Sequence, residues 1–503
     1  MAQITMMVPA ARRRLSRTGG PWTVDAASCL LLLVSLFQGN PIEAWTSTSS
    51  RSRAPATRIS STTTLWGTSL FDTLTATSPI MAAFEAHTQG QDALERGATN
   101  AAVQHYQTAT QLHPTADRYF RWGHALEENG ESLPAIDAFA TALEMATDNH
   151  DMELMRDVHL KLAHLWSEHV GDYEQALSHV DTVLSMELSN DNNDDDDGAV
   201  EEDAVAMDQK AFFLAATGQF EQAIALWDQA LTLKEAAPKG SRAKEVEEDA
   251  KLYRAMAHYI LLREGDNEQD NNNNADIVAM TQEQPHKVES WNYVLQHPPT
   301  TSTNVWHQRL FSGTATLLQD ALQAARPDGL ICEFGVFHGK SIRLLASLVD
   351  ASTTIDGFDT FEGIPEEWGD EPAGSYTAAA EIPQRCPANV QFHVGLFAET
   401  LPQYVQSTNP ATTPVRLINV DCDLYQGTVE IMEFLAPRIG PGTVIVFDEY
   451  LMTPTWVDDE YKAFQEAVQK FGWEYEYLAY SLFSKQAVVR ITKSDSFVGP
   501  AMD

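Results

Sequence analysis

Basic residues are scarce in this 503-residue chain: 33 lysines and arginines stand against 71 aspartates and glutamates, a net charge of −38. Nucleic acid and anionic membrane surfaces would repel such a protein, so neither is an expected partner of the mature form. Cysteine is scarcer still. Cys29, Cys332, Cys386 and Cys422 make no C-x-x-C pair and no zinc spacing, which leaves no disulfide framework and no thiolate metal site. Two of them sit in apolar strand-like runs, where a thiol packs as a small hydrophobe. Long apolar runs are nearly absent, and the exception, Ala26 to Phe37, is short for a membrane span. The G-x-G-x-x-G signature is also missing, which argues against a nicotinamide dinucleotide enzyme. The length exceeds one ordinary core and predicts two or three units.

Charge is unevenly spread, with seven arginines in residues 1–71 against only Asp25 and Glu43. Basic Arg12 to Arg17, the apolar run and Ala44-Trp45 have the order of a cleavable signal peptide over 1–45. A segment rich in Ser, Thr and Arg follows over 46–80, with no acidic residue between Thr46 and Leu70. Together these resemble the bipartite plastid-targeting leaders of algae with secondary plastids, which implies a plastid protein with no stable membrane association once the leader is cleaved. The alternative is an uncleaved signal anchor and stalk in the secretory pathway.

Residues 81–264 carry helical apolar spacing in which one pattern returns four times: Ala102/Tyr106/Ala109, Ala135/Phe139/Ala142, Ala176/Val180/Val183 and Ala223/Trp227/Ala230. With Trp122-Gly123, and Gly130, Gly171 and Gly218 at turn positions, this resembles an irregular tetratricopeptide repeat array. Such hairpins must stack to bury their apolar faces, and the stack offers a concave surface for a protein partner. Two acidic, Asn-rich stretches, 190–203 and 265–288, lack the apolar content to fold and read as an insert and a linker. The first has no EF-hand placement of Gly and Glu.

Residues 289–494 read differently. Short apolar strands alternate with helical stretches, and each strand ends on polar residues. Leu330 to Phe334 runs into Gly335, which permits a tight turn, and Gly339, which lets a helix begin close to a ligand. Thr353 to Phe358 ends in Asp359, Asn389 to Val394 in Gly395-Leu396, Val415 to Val420 in Asp421-Cys422-Asp423, and Gly442 to Phe447 in Asp448-Glu449. Glu474 to Tyr480 and Gln486 to Ile491 would close the sheet as an antiparallel pair. The fold expected is therefore a doubly wound α/β, Rossmann-like domain, with an all-α repeat region before it and a short disordered tail, 495–503, after it; its E-x-G-x-x-x-G turn, Glu333 to Gly339, resembles the first motif of the class I S-adenosylmethionine methyltransferases.

Asp421, Asp448 and Glu449 at the ends of adjacent strands would repel one another in a dry cleft unless an oxygen-bound divalent cation joined them. Such a cation lowers the pKa of an acceptor hydroxyl and fixes its oxygen, and Asp421 or Asp423 would take the proton. His338 in the glycine turn and His393 within a strand read as structural. Glu366 to Glu381 is long and polar enough to form a lid.

In order, EFGVFHGKS, GFDTFEGIPE, GLFAETLP, VDCDLY and VFDEY resemble the macrocin O-methyltransferase (TylF/MycF-like) family over about 200 residues. The resemblance implies S-adenosyl-L-methionine as cofactor, Mg2+ as metal, and a small-molecule acceptor with a hydroxyl group, such as a sugar. It implies that Glu333, Gly335, Gly339 and Ser341 form the methionine end of the cofactor site, that Asp359 holds the ribose, and that Gly395 and Leu396 lie near the adenine. Asp421, Asp448 and Glu449 would hold the metal; the family often has a second aspartate where Glu449 stands. The rival expectations are a binding scaffold with an inert methyltransferase fold, and methylation of a protein docked on the repeats.

Overall fold

Spacing of small and aromatic residues makes the first half of the chain helical. In the computed structural model, which describes residues 79–188, 197–236, 249–264, 284–300, 306–369, 371–407 and 413–500, antiparallel helix pairs begin at Pro79. They are α1 (Pro79–Glu95) with α2 (Thr99–Leu112), α3 (Ala116–Glu128) with α4 (Ser132–Asn149), α5 (Met152–Leu165) with α6 (Tyr173–Leu188), and α7 (Asp197–Ala216) with α8 (Phe220–Ala236), followed by α9 (Ala250–Glu264). All twelve residues of the recurring pattern are buried. The aromatic member explains the glycine before it: a Cβ on Gly90 or Gly123 would lie 2.9 Å from the ring of Tyr106 or Phe139. Gly97, Gly130, Gly171 and Gly218 turn the chain within each pair, all with φ between 70° and 82°, a region that disfavours a Cβ.

Side-chain caps mark several starts. Thr115 Oγ1 accepts from Arg118 N at 3.3 Å, Asp151 Oδ1 from Leu154 N at 3.3 Å and Asp172 Oδ1 from Gln175 N at 3.0 Å, each satisfying a donor that a helix N-terminus leaves free. One helix ends irregularly: α5 runs into a π-helical turn, Trp166–Val170, stopped by Gly171.

The second half is the expected α/β domain. After α10 (Pro285–Gln296), α11 (Trp306–Arg309) and α12 (Thr314–Ala324) come β1 (Leu330–Phe334), α13 (Lys340–Leu348), β2 (Ile355–Asp359), β3 (Val390–Val394), α14 (Phe397–Ser407), β4 (Val415–Val420), α15 (Tyr425–Leu435), β5 (Val444–Phe447), α16 (Glu460–Phe471), β6 (Glu474–Tyr480) and β7 (Ala487–Lys493). The sheet order is β3-β2-β1-β4-β5-β7-β6. Strands β1 to β5 are parallel, and β7 inserts antiparallel between β5 and β6. The order reverses at β1, which places a crevice at the carboxyl ends of β1 and β4.

The apolar spacing from Gln308 to Ala325 predicts one helix, but it is broken at Leu310 to Gly313. There Phe311 turns into the helical half and packs among Phe212, Trp227 and Tyr253 at ring separations of 6.0, 6.0 and 6.3 Å. Phe212 also meets Phe483, from the β6–β7 loop, at 4.3 Å. One continuous apolar core thus contains Trp227 from α8 and Phe447 from β5.

The leader over 1–45, the segment 46–80 up to residue 78, residues 190–196 of the first acidic stretch and 265–283 of the second lie outside the described residues. Helix α7 nevertheless begins at Asp197, inside the stretch expected to be a solvated insert. Tail residues also adopt a defined path up to residue 500, where Val498 N donates to Pro437 O at 3.0 Å. No helix among the described residues is long and apolar enough to cross a membrane.

Candidate active site

A ladder of backbone hydrogen bonds aligns the strand ends. Gly335 N donates to Phe358 O (3.0 Å), Gly395 N to Asp359 O (3.0 Å), Asp421 N to Phe334 O (2.8 Å) and Asp448 N to Val420 O (2.9 Å). Polar residues from five strands thereby share one edge of the sheet. Gly335 is the tightest point: at φ 87°, a Cβ built on it would lie 1.5 Å from Asp421 O.

Along this edge runs a cleft of about 470 Å3, lined by Gly335, Asp359, Gly395, Leu396, Asp421, Asp423, Asp448 and Glu449, together with Phe337, Thr360, Tyr376 and Gln426. Three predicted residues sit elsewhere. Glu333 is fully buried beneath the glycine turn, where it accepts from Ser341 Oγ at 3.0 Å and Asn419 Nδ2 at 3.3 Å. Burial pushes its carboxyl up to about 8. Gly339 precedes the first residue of α13, and Ser341 lines a separate cavity on the other side of the turn.

Asp359 does more than the sequence implied. Its Oδ2 accepts from Val336 N and Phe337 N, both at 2.7 Å, and its Oδ1 accepts from Phe361 N at 2.7 Å. It therefore staples the glycine turn to the end of β2 while facing the cleft. A carboxylate offers about four acceptor positions, so one remains for a hydroxyl.

At the other end of the cleft the carboxylates crowd together. Asp421 and Asp448 share a hydrogen bond. Burial raises Asp421 well above the carboxylate range, reinforced by Asp448 and Asp423. Burial likewise raises Asp448, against which Gln486 Nε2, hydrogen-bonded to Asp448 Oδ1, pulls downward. Burial and then Asp448 lift Asp423 to about 6 and Glu449 to about 7. Fully buried Glu460, from α16, faces the same charges and is also raised by burial.

The structure brings Asp421 and Asp448 together but turns Glu449 partly aside, with Oε1 3.2 Å from Lys485 Nζ. Among the described residues, no three histidine, cysteine or acidic side chains already converge as a metal cage. The donor chemistry still suits a hard divalent cation, since every side-chain donor is a carboxylate oxygen. Glu449 Oε2 is buried and has no hydrogen-bond partner, as a ligand awaiting a cation would be.

Neither histidine lines the cleft. His393 Nε2 lies 2.8 Å from Asp356 Oδ1 with its ring stacked on Phe358, while His338 faces the helical half, 3.4 Å from Thr99 Oγ1. Cys332, Cys386 and Cys422 are free thiols. The polar stretch 366–381 supplies Glu366 and Tyr376 to the cleft wall, and Trp368 Nε1 donates to Asp459 Oδ2 at 3.3 Å.

Sequence reasoning missed Gln486, Lys485 and Glu460. The first was within reach, because β7 pairs Ala487 with Phe447 and so sets the preceding residue beside Asp448. Glu460 lies twelve residues past Asp448 on a helix and carries no local signal.

The sequence profile of a methyltransferase domain matches residues 332–450, and that of the soluble NSF attachment protein, SNAP, matches residues 70–193. Demethyldecarbamoylnovobiocin O-methyltransferase of Streptomyces niveus is 26% identical over 254 residues, 45% of this chain and 91% of that protein. The 8-demethyl-8-(2,3-dimethoxy-alpha-L-rhamnosyl)-tetracenomycin-C 4'-O-methyltransferase of Streptomyces olivaceus is 27% identical over 158 residues, 26% of this chain and 58% of that protein. Among solved structures, the calicheamicin methyltransferase CalS11 is 23% identical, with a TM-score of 0.28, over 42% of this chain and 92% of its own.

Proposed function

We propose that this protein is an S-adenosylmethionine-dependent O-methyltransferase that acts, with a divalent cation such as magnesium, on a hydroxyl of a sugar or another small molecule. The observation that carries the reading is the division of one cleft into two chemistries: Asp359, Gly395 and Leu396 at one end, and the Asp421–Asp448–Glu449 carboxylates at the other. The similarity to two curated O-methyltransferases supports it.

In this reading Asp359 takes one ribose hydroxyl with its remaining acceptor position, Gly395 and Leu396 border the adenine, and Glu333 with Ser341 supports the turn at the methionine end. Asp421, Asp448 and Glu449 hold the cation. When bound, the sulfonium supplies an electrophilic methyl group and the cation acidifies the acceptor hydroxyl. Asp423, lifted to about 6 by burial, is ionised at neutral pH yet basic enough to receive the acceptor's proton. Asp421, hydrogen-bonded to Asp448, is better occupied as a ligand. Delivery to a plastid through the leader, and docking of a protein on the repeats, belong to the same proposal; a fluorescent fusion of residues 1–80 tests the first.

The deciding experiment is calorimetric titration of S-adenosylhomocysteine into the protein, with and without magnesium, beside an Asp421→Ala/Asp448→Ala variant. Saturable cofactor binding by both proteins, with magnesium binding lost in the variant, is the expected result. A folded protein that binds no S-adenosylhomocysteine would remove the enzyme reading.

A further inference from the structure

A cavity of about 690 Å3 lies between the helical half and the α/β half, apart from the cofactor cleft. One wall is helical: the Gly130–Pro134 turn region and the π-helical segment carrying Glu168 and His169. The opposite wall is the glycine turn and α13, from Val336 to Leu348. At its inner end stand Asp421 and Asp448, which also line the cofactor cleft, with Phe337 between the two spaces. The paired carboxylates are therefore reached from two sides.

The helical wall is fixed in place. Glu131 is gripped by the Arg385 guanidinium through both oxygens. Arg343 Nη1 donates to Asn129 O at 3.1 Å and also to His338 O at 2.6 Å, so one side chain holds the repeat turn and the glycine turn together. A Cβ on Gly130 would lie 2.8 Å from His338 O. Behind the chamber, Tyr173 Oη accepts from Gly313 N at 2.9 Å, and Gln319 Nε2 donates to Val170 O at 2.9 Å.

We propose that this chamber is the acceptor site, that the helical repeats supply one of its walls, and that it selects an uncharged, polyhydroxylated molecule of roughly monosaccharide-glycoside size. The inference rests on the methyltransferase reading and deepens it. A cofactor in the cleft and an acceptor in the chamber would meet at Asp421 and Asp448, the arrangement an in-line transfer requires. Its volume falls in the range of small-molecule pockets, roughly 300 to 1,000 Å3.

The lining explains the neutral preference. Its outer acids are already matched, Glu127 with Lys161 at 2.9 Å and Glu131 with Arg385. Burial drives His164 to about 4 and His169 to about 2, so both rings are uncharged hydrogen-bonding groups at neutral pH. Ser132 Oγ hydrogen-bonds His169 Nδ1, which orients that ring. Hydroxyls suit such a surface, and Lys340 and Arg343 stand in the lining with Glu168, Asp421 and Asp448, so neither sign of ligand charge is favoured throughout it.

The test measures methyl transfer from S-adenosylmethionine to the methyl glycosides of glucose, galactose and rhamnose. It uses wild type, Ser132→Trp, which narrows the chamber, and His169→Phe, which keeps its shape but removes its polar atoms. S-adenosylhomocysteine calorimetry on all three reports folding and the cofactor site. Transfer to a glycoside by wild type, with KM raised about tenfold or more in both variants while cofactor affinity stays within about twofold, is expected. Unchanged KM in both variants would place the acceptor elsewhere. No transfer to any glycoside by protein that binds S-adenosylhomocysteine would overturn the proposed acceptor chemistry. Failure of wild type to bind S-adenosylhomocysteine would instead remove the underlying function.

Discussion

Replacing Gly335 with alanine tests how closely the ends of β1 and β4 must approach. The added Cβ would start 1.5 Å from Asp421 O, so the two backbones must part by about 2 Å to reach an ordinary van der Waals contact. That motion strains two bonds of the strand-end ladder, Asp421 N to Phe334 O and Gly335 N to Phe358 O, each contributing about 1 kcal/mol net. The left-handed backbone adds about 1–2 kcal/mol for any residue with a Cβ. Urea unfolding should register a loss of about 3–4 kcal/mol, with S-adenosylhomocysteine binding abolished because the glycine turn, which itself lines the cofactor cleft, leaves its place. Gly374→Ala is the control: its φ is 88° but nothing lies within 4 Å of the new Cβ, so only the backbone part, about 1–2 kcal/mol, applies. If Gly335→Ala loses no more stability than Gly374→Ala and binds cofactor normally, the strand ends are not held as described.

Phe139→Ala should destabilise the protein by about 3–5 kcal/mol in the same unfolding assay, because the ring is fully buried against Gly123. The acid cluster predicts a pH dependence. Folding raises Asp423 to about 6 and Glu449 to about 7, so the folded state binds more protons than the unfolded chain. Their stabilisation is complete below about pH 4 and is lost as pH rises through 6 and 7. Between pH 5 and pH 8 the melting temperature of metal-free protein should therefore lose this contribution. Magnesium should raise the melting temperature at pH 8 and do little at pH 5; an equal magnesium effect at both pH values would contradict a carboxylate site.

The strand ends were legible because each β-run stops on a glycine or a carboxylate. Asp359, Gly395, Asp421 and Asp448 announced themselves by position, and the structure sets all four along one cleft. The repeat pattern was legible for a similar reason, since Ala-x-x-x-aromatic spacing marks the buried face of a helix. Long-range encounters were not legible. Nothing local distinguishes Glu131 or Arg385 from any exposed charge, yet they pair across 254 residues. The π-helical turn that carries Glu168 and His169 has no sequence signature beyond the Gly171 that stops it. Gln308 to Ala325 read as one helix because apolar spacing continued through Phe311, and only the aromatic pocket waiting in the other half explains why the chain bends there.

That pocket has a consequence for how such a chain can change over generations. Phe311 belongs by sequence to the methyltransferase half and by packing to the helices, among Phe212, Trp227 and Tyr253. A recombination that joined this catalytic half to a different set of repeats would inherit an aromatic plug without its socket. The two halves must therefore drift together, each substitution around the plug answered on the other side, and this lineage would not be expected to shed its repeats while keeping its chemistry.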